Sequence, residues 1–369
     1  MDDVKREYRV ISADGHLNEP GDLWSSRVPA RLKDRAPRIE QFEEGDAWVL
    51  EGVAEPLPFG WGACAGRDPS KLDKWVRFEE INPGSYDAKA RVDEMQLDGV
   101  DAEIIFPSGS PCQSIIASQD VDFHHSMVRA YNDFLGEFCG YAPDRLGGVA
   151  LLPARGIDGA LEEARRVVEM PGIVGFLLKC YPHGDTHISP DDDPLWALIE
   201  ETGKPLVIHV GLSDQLPRVL KVKNLPGTVH FYDAPGRMLE LIFSGIFDRF
   251  PGLQVVLAEV DMGWMPYFAE QADDNYLRHA ASSLRDSPLP RLPSEYMSQH
   301  FAASFITDHY AIANRHRIGV DRMLWSNDYP HITSDWPYSW RTINATFAGV
   351  DPQERHMILA GNSQRIFGL

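Results

Sequence analysis

Five positions combine side chains able to hold a cation or move a proton with a context that would gather them. Asp14 and His16 alternate around Gly15, so in extended backbone both side chains point to the same face. His209 follows Pro205-Leu206-Val207-Ile208, an apolar run in which an isolated imidazole would lack an obvious partner. Glu259 follows Val255-Val256-Leu257-Ala258, and Asp328 follows Met323-Leu324-Trp325-Ser326-Asn327. Two imidazoles (His16, His209) and two carboxylates (Asp14, Asp328) on one rim would make a mixed nitrogen and oxygen site for one divalent cation. Zinc is the first expectation, with manganese or ferrous iron as alternatives. Taken singly, each residue has an ordinary explanation. An Asp-x-His pair occurs by chance, a lone histidine at a strand end is usually a hydrogen-bonded core residue, and an aspartate before Tyr329-Pro330 is usually a turn residue. The metal reading rests on all four falling at strand ends of one architecture.

That architecture follows from the apolar runs. Segments 8–13, 102–106, 146–152, 173–178, 205–209, 254–258, 301–305 and 322–325 are short and nearly continuous in Val, Ile, Leu, Ala and Phe, the pattern of strands buried on both faces of a parallel sheet. Helical patterns lie between them at 87–97, 121–141, 156–169, 194–202, 238–250, 266–279, 311–318 and 353–362. Gly99 and Gly203 mark two helix ends, and Pro266 suits a first helical turn. Eight strands alternating with eight helices predict an α/β fold, a (β/α)8 TIM barrel, as one domain over 1–369. A doubly wound sheet would need a glycine-rich phosphate loop after an early strand, which is lacking. In a barrel the C-terminal strand ends carry the chemistry, and the candidate residues fall there. Residues 41–82 interrupt the alternation after strand one and are too long for a plain loop. Trp48, Trp61 and Trp75 favour an insertion with a small hairpin near the barrel mouth, against a surface excursion with no role.

Composition narrows the partners. The 369 residues carry 35 Lys+Arg against 55 Asp+Glu, a net charge of −20, which repels phosphate backbones and anionic lipid and so disfavours nucleic-acid and membrane binding. No apolar run approaches the roughly 18 residues of a membrane span, and the first residues lack a secretory pattern. Cys64, Cys112, Cys139 and Cys180 are scattered without a CxxC pair, which fits a cytoplasmic protein. GxSxG, GxxxxGK[ST], GxGxxG after a strand and HExxH are all missing. The expected partner is a small-molecule substrate.

Several ordered motifs resemble the amidohydrolase superfamily, specifically the branch containing aminocarboxymuconate-semialdehyde and resorcylate-type decarboxylases. They are YAPDRLGGVALLP at 141–153, ALEEARR at 160–166, LIFSGIFDRFPGL at 241–253 and NDYPH at 327–331, beside the strand-end residues above. The resemblance covers nearly the whole chain, least clearly 41–82. It implies Asp14, His16, His209 and Asp328 as metal ligands, Asp328 as the group exchanging a proton with metal-bound water, and a homodimer.

Two departures bear on the chemistry. Many members have HxH at strand one where this chain has Asp14, which adds negative charge. The decarboxylases place a histidine at the end of strand six, where this chain has Glu259. Glu259 is read as a general acid or base, or else as a group hydrogen-bonded behind the ligands. Lys179, at the end of strand four, is carbamylated in binuclear members; here a contact to a substrate carboxylate or a plain salt bridge suits it better. His331 could support the ligands or touch substrate, and Arg237 and Trp264 could line the pocket. His183 and His187 could reach the mouth, while His124 and His125 are expected on a helix surface. The departure at Glu259 favours a metal-dependent hydrolase, in which a cation lowers the pKa of water from about 15.7 toward about 7. Its substrate would be a carboxylated aromatic or ring-cleavage product. The alternative is a non-oxidative decarboxylase of an aromatic or muconate-like acid, and a non-catalytic metal-stabilised binding protein comes third.

Overall fold

The computed structural model describes residues 6–213, 233–283 and 288–369. Eight parallel strands form one sheet: β1 (Ile11–His16), β5 (Ala102–Phe106), β6 (Leu146–Leu151), β7 (Ile173–Leu178), β8 (Leu206–His209), β9 (Val255–Ala258), β10 (Phe301–Phe305) and β11 (Met323–Trp325). Every residue in these strands is buried, which is why they read as apolar runs without alternation. The sheet curls back on itself. Chain beyond β11 meets β1 in a parallel bridge between Tyr329 and Gly15, with His16 N donating to Tyr329 O at 2.6 Å and Asp328 N to Asp14 O at 3.1 Å. The buried Arg91 guanidinium braces this seam by donating to the carbonyls of His16 (2.9 Å) and Tyr329 (3.4 Å) while paired with Glu103.

Helices cover the outside of the sheet. Val121–Gly140 is capped by Asp120, whose side chain accepts from Phe123 N, and it packs against β6. A side chain at Gly148 would come within 2.8 Å of Leu135 and 3.0 Å of Cys139, so the glycine permits that approach. Ala88–Asp98 and Asp193–Thr202 stop at Gly99 and Gly203, both in the left-handed region.

Three differences from the sequence reading have local causes. The segment 238–250 is two helices, Asp233–Phe243 and Ile246–Arg249, because Gly245 turns left-handed between them. Helices Gly109–Ala117, Pro293–His300 and Ser339–Thr346 were not anticipated, being short and weakly patterned. The insertion holds a three-stranded antiparallel sheet of β2 (Arg38–Gln41), β3 (Asp46–Val49) and β4 (Leu57–Pro58), which starts before residue 41. Trp48 is buried edge-on against Trp24, whereas Trp61 is about half exposed, at 47%. The chain at 61–65 rests on the loop after β11 through Ile332 N to Trp61 O and Ala65 N to Pro330 O, both 3.0 Å.

Candidate active site

The C-terminal ends of β1, β8, β9 and β11 bring Asp14, His16, His209, Glu259 and Asp328 to one point. His16 Nε2 lies 3.2 Å from Asp14 Oδ1 and 3.3 Å from Asp328 Oδ1. His209 Nε2 lies 3.2 Å from the same Asp14 oxygen and 3.5 Å from Glu259 Oε2. Two overlapping sets, Asp14-His16-His209-Glu259 and His16-Glu259-Asp328-His331, each offer ligand atoms within 4.8 Å of one another. Val210, Glu259 and Asp328 take positive φ (60°, 56° and 51°). For non-glycine residues, and above all for a β-branched valine, this is a costly conformation that the surrounding structure must enforce. The left-handed turn is how the chain swings these side chains over the barrel mouth.

The electrostatics fit a cation. Asp14 Oδ2 is buried without a hydrogen-bond partner, a costly state that a coordinated ion would relieve. Burial opposes ionisation of Asp14 and Asp328. Even so, His209 and His16 beside Asp14, and His331 and His16 beside Asp328, hold both carboxyls below their ordinary range. Burial works against a charged His16, but Asp14 and Asp328 outweigh it and raise its pKa well above the usual histidine value. His209 is lowered by burial. Glu259 goes the other way: burial first, then repulsion from Asp328 and Asp14, pushes its carboxyl well above the ordinary glutamate range.

His331 donates no ligand from a strand, yet its ring stacks on His16 at 3.9 Å and its Nδ1 is 2.9 Å from Asp328 Oδ1. Thr333 Oγ1 donates to the other Asp328 oxygen. The cluster forms the floor of a cavity of about 470 Å³. Phe106, Leu177 and Val210 give it apolar faces, Lys179 and Gln113 polar ones. Lys179 Nζ donates to the His209 carbonyl at 3.0 Å.

Not every candidate reaches this cavity. Arg237 is bound by Asp233 and Glu240 of its own helix, and Trp264 donates to Val260 O and packs on Phe268; neither lines it. His183 and His187 pair with Asp192 and Glu240. His124 is fully buried, not on the surface, since its two nitrogens join Ile115 O and Ala154 N at 2.8 Å each. The wall from Pro107 to Gln113 escaped the sequence reading because Pro107, Ser108, Gly109 and Cys112 lack charge; position after β5 was the available signal.

A family model described as amidohydrolase matches residues 81–369. The chain belongs to that family. Among relatives of this amidohydrolase, a gamma-resorcylate decarboxylase from Rhizobium sp. is 29% identical over 260 residues, spanning 66% of this chain and 76% of that enzyme. An amidohydrolase from Mycobacterium avium subsp. paratuberculosis superposes with a TM-score of 0.77 at 21% identity, covering 98% of this chain and all of that one. A 5-carboxyvanillate decarboxylase from Novosphingobium aromaticivorans, complexed with manganese and 4-hydroxy-3-methoxy-5-nitrobenzoic acid, superposes at 0.73 with 19% identity, covering 98% and 96%. These comparisons correct the hydrolase expectation: the relatives of this amidohydrolase that match in sequence include several decarboxylases. A glutamate in place of the strand-six histidine does not oppose decarboxylation, since a carboxyl and an imidazole can each carry a proton.

Proposed function

We propose that this amidohydrolase is a non-oxidative, divalent-metal-dependent decarboxylase of a small aromatic or muconate-like acid. The observation that carries the reading is the placement of Glu259 in the cavity lining, where burial and then Asp328 and Asp14 raise its carboxyl pKa, beside a cluster with an orphaned ligand atom. Asp14, His16, His209 and Asp328 would hold the cation. Manganese is the first to test, because a donor set this rich in carboxylate suits a harder ion than a thiolate or all-imidazole set would. A bound divalent cation would anchor the substrate carboxylate and an adjacent oxygen by charge.

The chain's own groups supply the rest. Phe106, Leu177 and Val210 accept a flat ring, and their apolar surfaces exclude water from it. Lys179 adds a positive charge for an anionic substituent. Glu259 delivers its proton to the ring carbon bearing the carboxylate. The bond from that carbon to the carboxylate then breaks, its electron pair returns to the ring, and carbon dioxide leaves. Glu259, now ionised, is reprotonated from solvent through the cavity, to which its side chain is 20% open. Asp328, held anionic by its histidines, stays a ligand and orients His16 and His331.

The test is carbon dioxide release from a panel of hydroxylated benzoates and carboxymuconate-like acids. Protein stripped with EDTA and protein reloaded with manganese would be compared. Manganese-dependent release from at least one member supports the reading. A manganese-loaded, folded protein inert toward the whole panel sinks it.

A further inference from the structure

One fully buried carboxylate near the centre has no part in the chemistry above. Glu19 is 0% exposed, and both its oxygens are taken up by one residue: Oε1 accepts from Ser108 N at 2.9 Å and Oε2 from the Ser108 hydroxyl. Ser108 directly follows Pro107, whose carbonyl is 3.1 Å from His16 Nδ1. A carbonyl can only accept, so Nδ1 carries a proton and Nε2 is the nitrogen turned toward Asp14 and Asp328. Pro107 and Ser108 also begin the cavity wall that continues to Cys112 and Gln113.

We propose that Glu19 is a positioning residue for the metal centre. By fixing Ser108 it fixes the Pro107 carbonyl, which sets the aim of His16, and it anchors the wall that follows. Partners of this kind, which orient a ligating histidine through its other nitrogen, typically govern metal affinity by about 10- to 100-fold. The two Ser108 donors explain why the position holds a carboxylate, because two acceptor oxygens meet two donors. A glutamine retains one acceptor, and the serine hydroxyl can rotate to receive its amide N–H, so Glu19→Gln should keep the geometry. Glu19→Ala leaves the buried Ser108 N–H without a partner and the wall unanchored.

The inference rests on His16 as a metal ligand, and the experiment separates the two ideas. Manganese affinity is measured by competition with a chelating dye for the wild type, Glu19→Gln, Glu19→Ala, Glu19→Asp and His16→Ala. On the metal-free proteins labelled with 15N-histidine, solvent exchange of the His16 Nδ1–H is followed by NMR. Glu19→Ala should bind manganese about 10- to 100-fold more weakly and exchange the Nδ1–H faster, with Glu19→Gln close to wild type in both. Wild-type affinity and exchange in Glu19→Ala would overturn the proposal. So would a Glu19→Gln as impaired as the alanine variant, because charge and not position would then be at work. If Glu19→Ala does not fold, Glu19→Asp decides: its carboxylate, one methylene shorter, no longer spans to both Ser108 donors, so unchanged affinity and exchange there overturn the proposal equally. An unaffected His16→Ala counts against the metal reading, while the exchange measurement tests the positioning without any metal.

Discussion

Replacing Glu259 with glutamine keeps the shape of the side chain and removes its charge. Its ligand atom lies within 4.8 Å of those of Asp14 and Asp328. Two unit charges at that separation repel by about 3.5 kcal/mol at an effective dielectric constant near 20. Burial and two such repulsions penalise an ionised Glu259, and the attractions of His16 and Lys179 are taken to offset about one repulsion, which leaves a penalty of about 3 kcal/mol or more. The folded pKa is raised, so over the interval above the ordinary glutamate value the folded protein binds a proton that the unfolded chain has released. Wild-type stability therefore falls as pH rises through that interval, and the variant lacks this slope. At pH 8 the metal-free Glu259→Gln protein should be the more stable by about 3 kcal/mol. At an unfolding entropy of about 2.1 cal/mol/K per residue, 369 residues turn this into a Tm gain of about 4 °C. Below the ordinary glutamate pKa of about 4.3 the two proteins should converge. Under the proposed mechanism kcat of the manganese-loaded variant should fall by about 100-fold or more. Calorimetry of EDTA-treated samples from pH 4 to 8, with kinetics on reloaded enzyme, tests both halves. A Tm at pH 8 that is unchanged or lowered, or a gain that persists at pH 4, refutes the electrostatic reasoning. An unchanged kcat removes Glu259 from the chemistry.

Asp328→Asn takes the charge from between His16 and His331, which stand 3.3 and 2.9 Å from Asp328 Oδ1. Losing one member of a buried charged set costs about 3 kcal/mol or more, so manganese content after dialysis should fall with a roughly 100-fold weaker Kd, and turnover with it; full metal retention would contradict the ligand assignment. Lys179→Met should raise KM by about 10- to 100-fold, the size of one charge-assisted contact, with a smaller change in kcat, and equal KM values would leave Lys179 a structural residue. His124→Leu strands Ala154 N–H and Ile115 C=O, costing about 2–3 kcal/mol in urea unfolding at pH 7. Burial holds the His124 pKa down at about 4, below its unfolded value. The stability it contributes is therefore present above about pH 6.5 and lost as pH falls toward 4, a slope the leucine variant should lack.

Much of this was legible in the chain because the signals were local. β5, β7 and β10 match their apolar runs residue for residue, since a strand buried on both faces is nearly all apolar, and its exceptions here, Glu103 and Ser304, are partnered by Arg91 and Glu259 N. Asp14, His16, His209 and Asp328 could be picked out because ionisable residues are conspicuous at the ends of such runs. His124 could not be placed, because whether a helical histidine faces water or two backbone groups depends on what packs above it. The cavity wall from Pro107 to Gln113 was silent for the opposite reason, being uncharged residues whose role is shape.

By itself the sequence determined the eight-fold alternation and the identities of the candidate cation-binding groups, because strand burial and side-chain chemistry are written residue by residue. Only the tertiary structure decided what those groups become. Barrel closure through Tyr329 and Gly15 sets Asp328 beside His16, and the left-handed backbone at Glu259 turns its carboxyl toward two anions. Protonation and metal affinity depend on distances of 3 to 5 Å between residues hundreds of positions apart, and such distances exist only once the chain is closed.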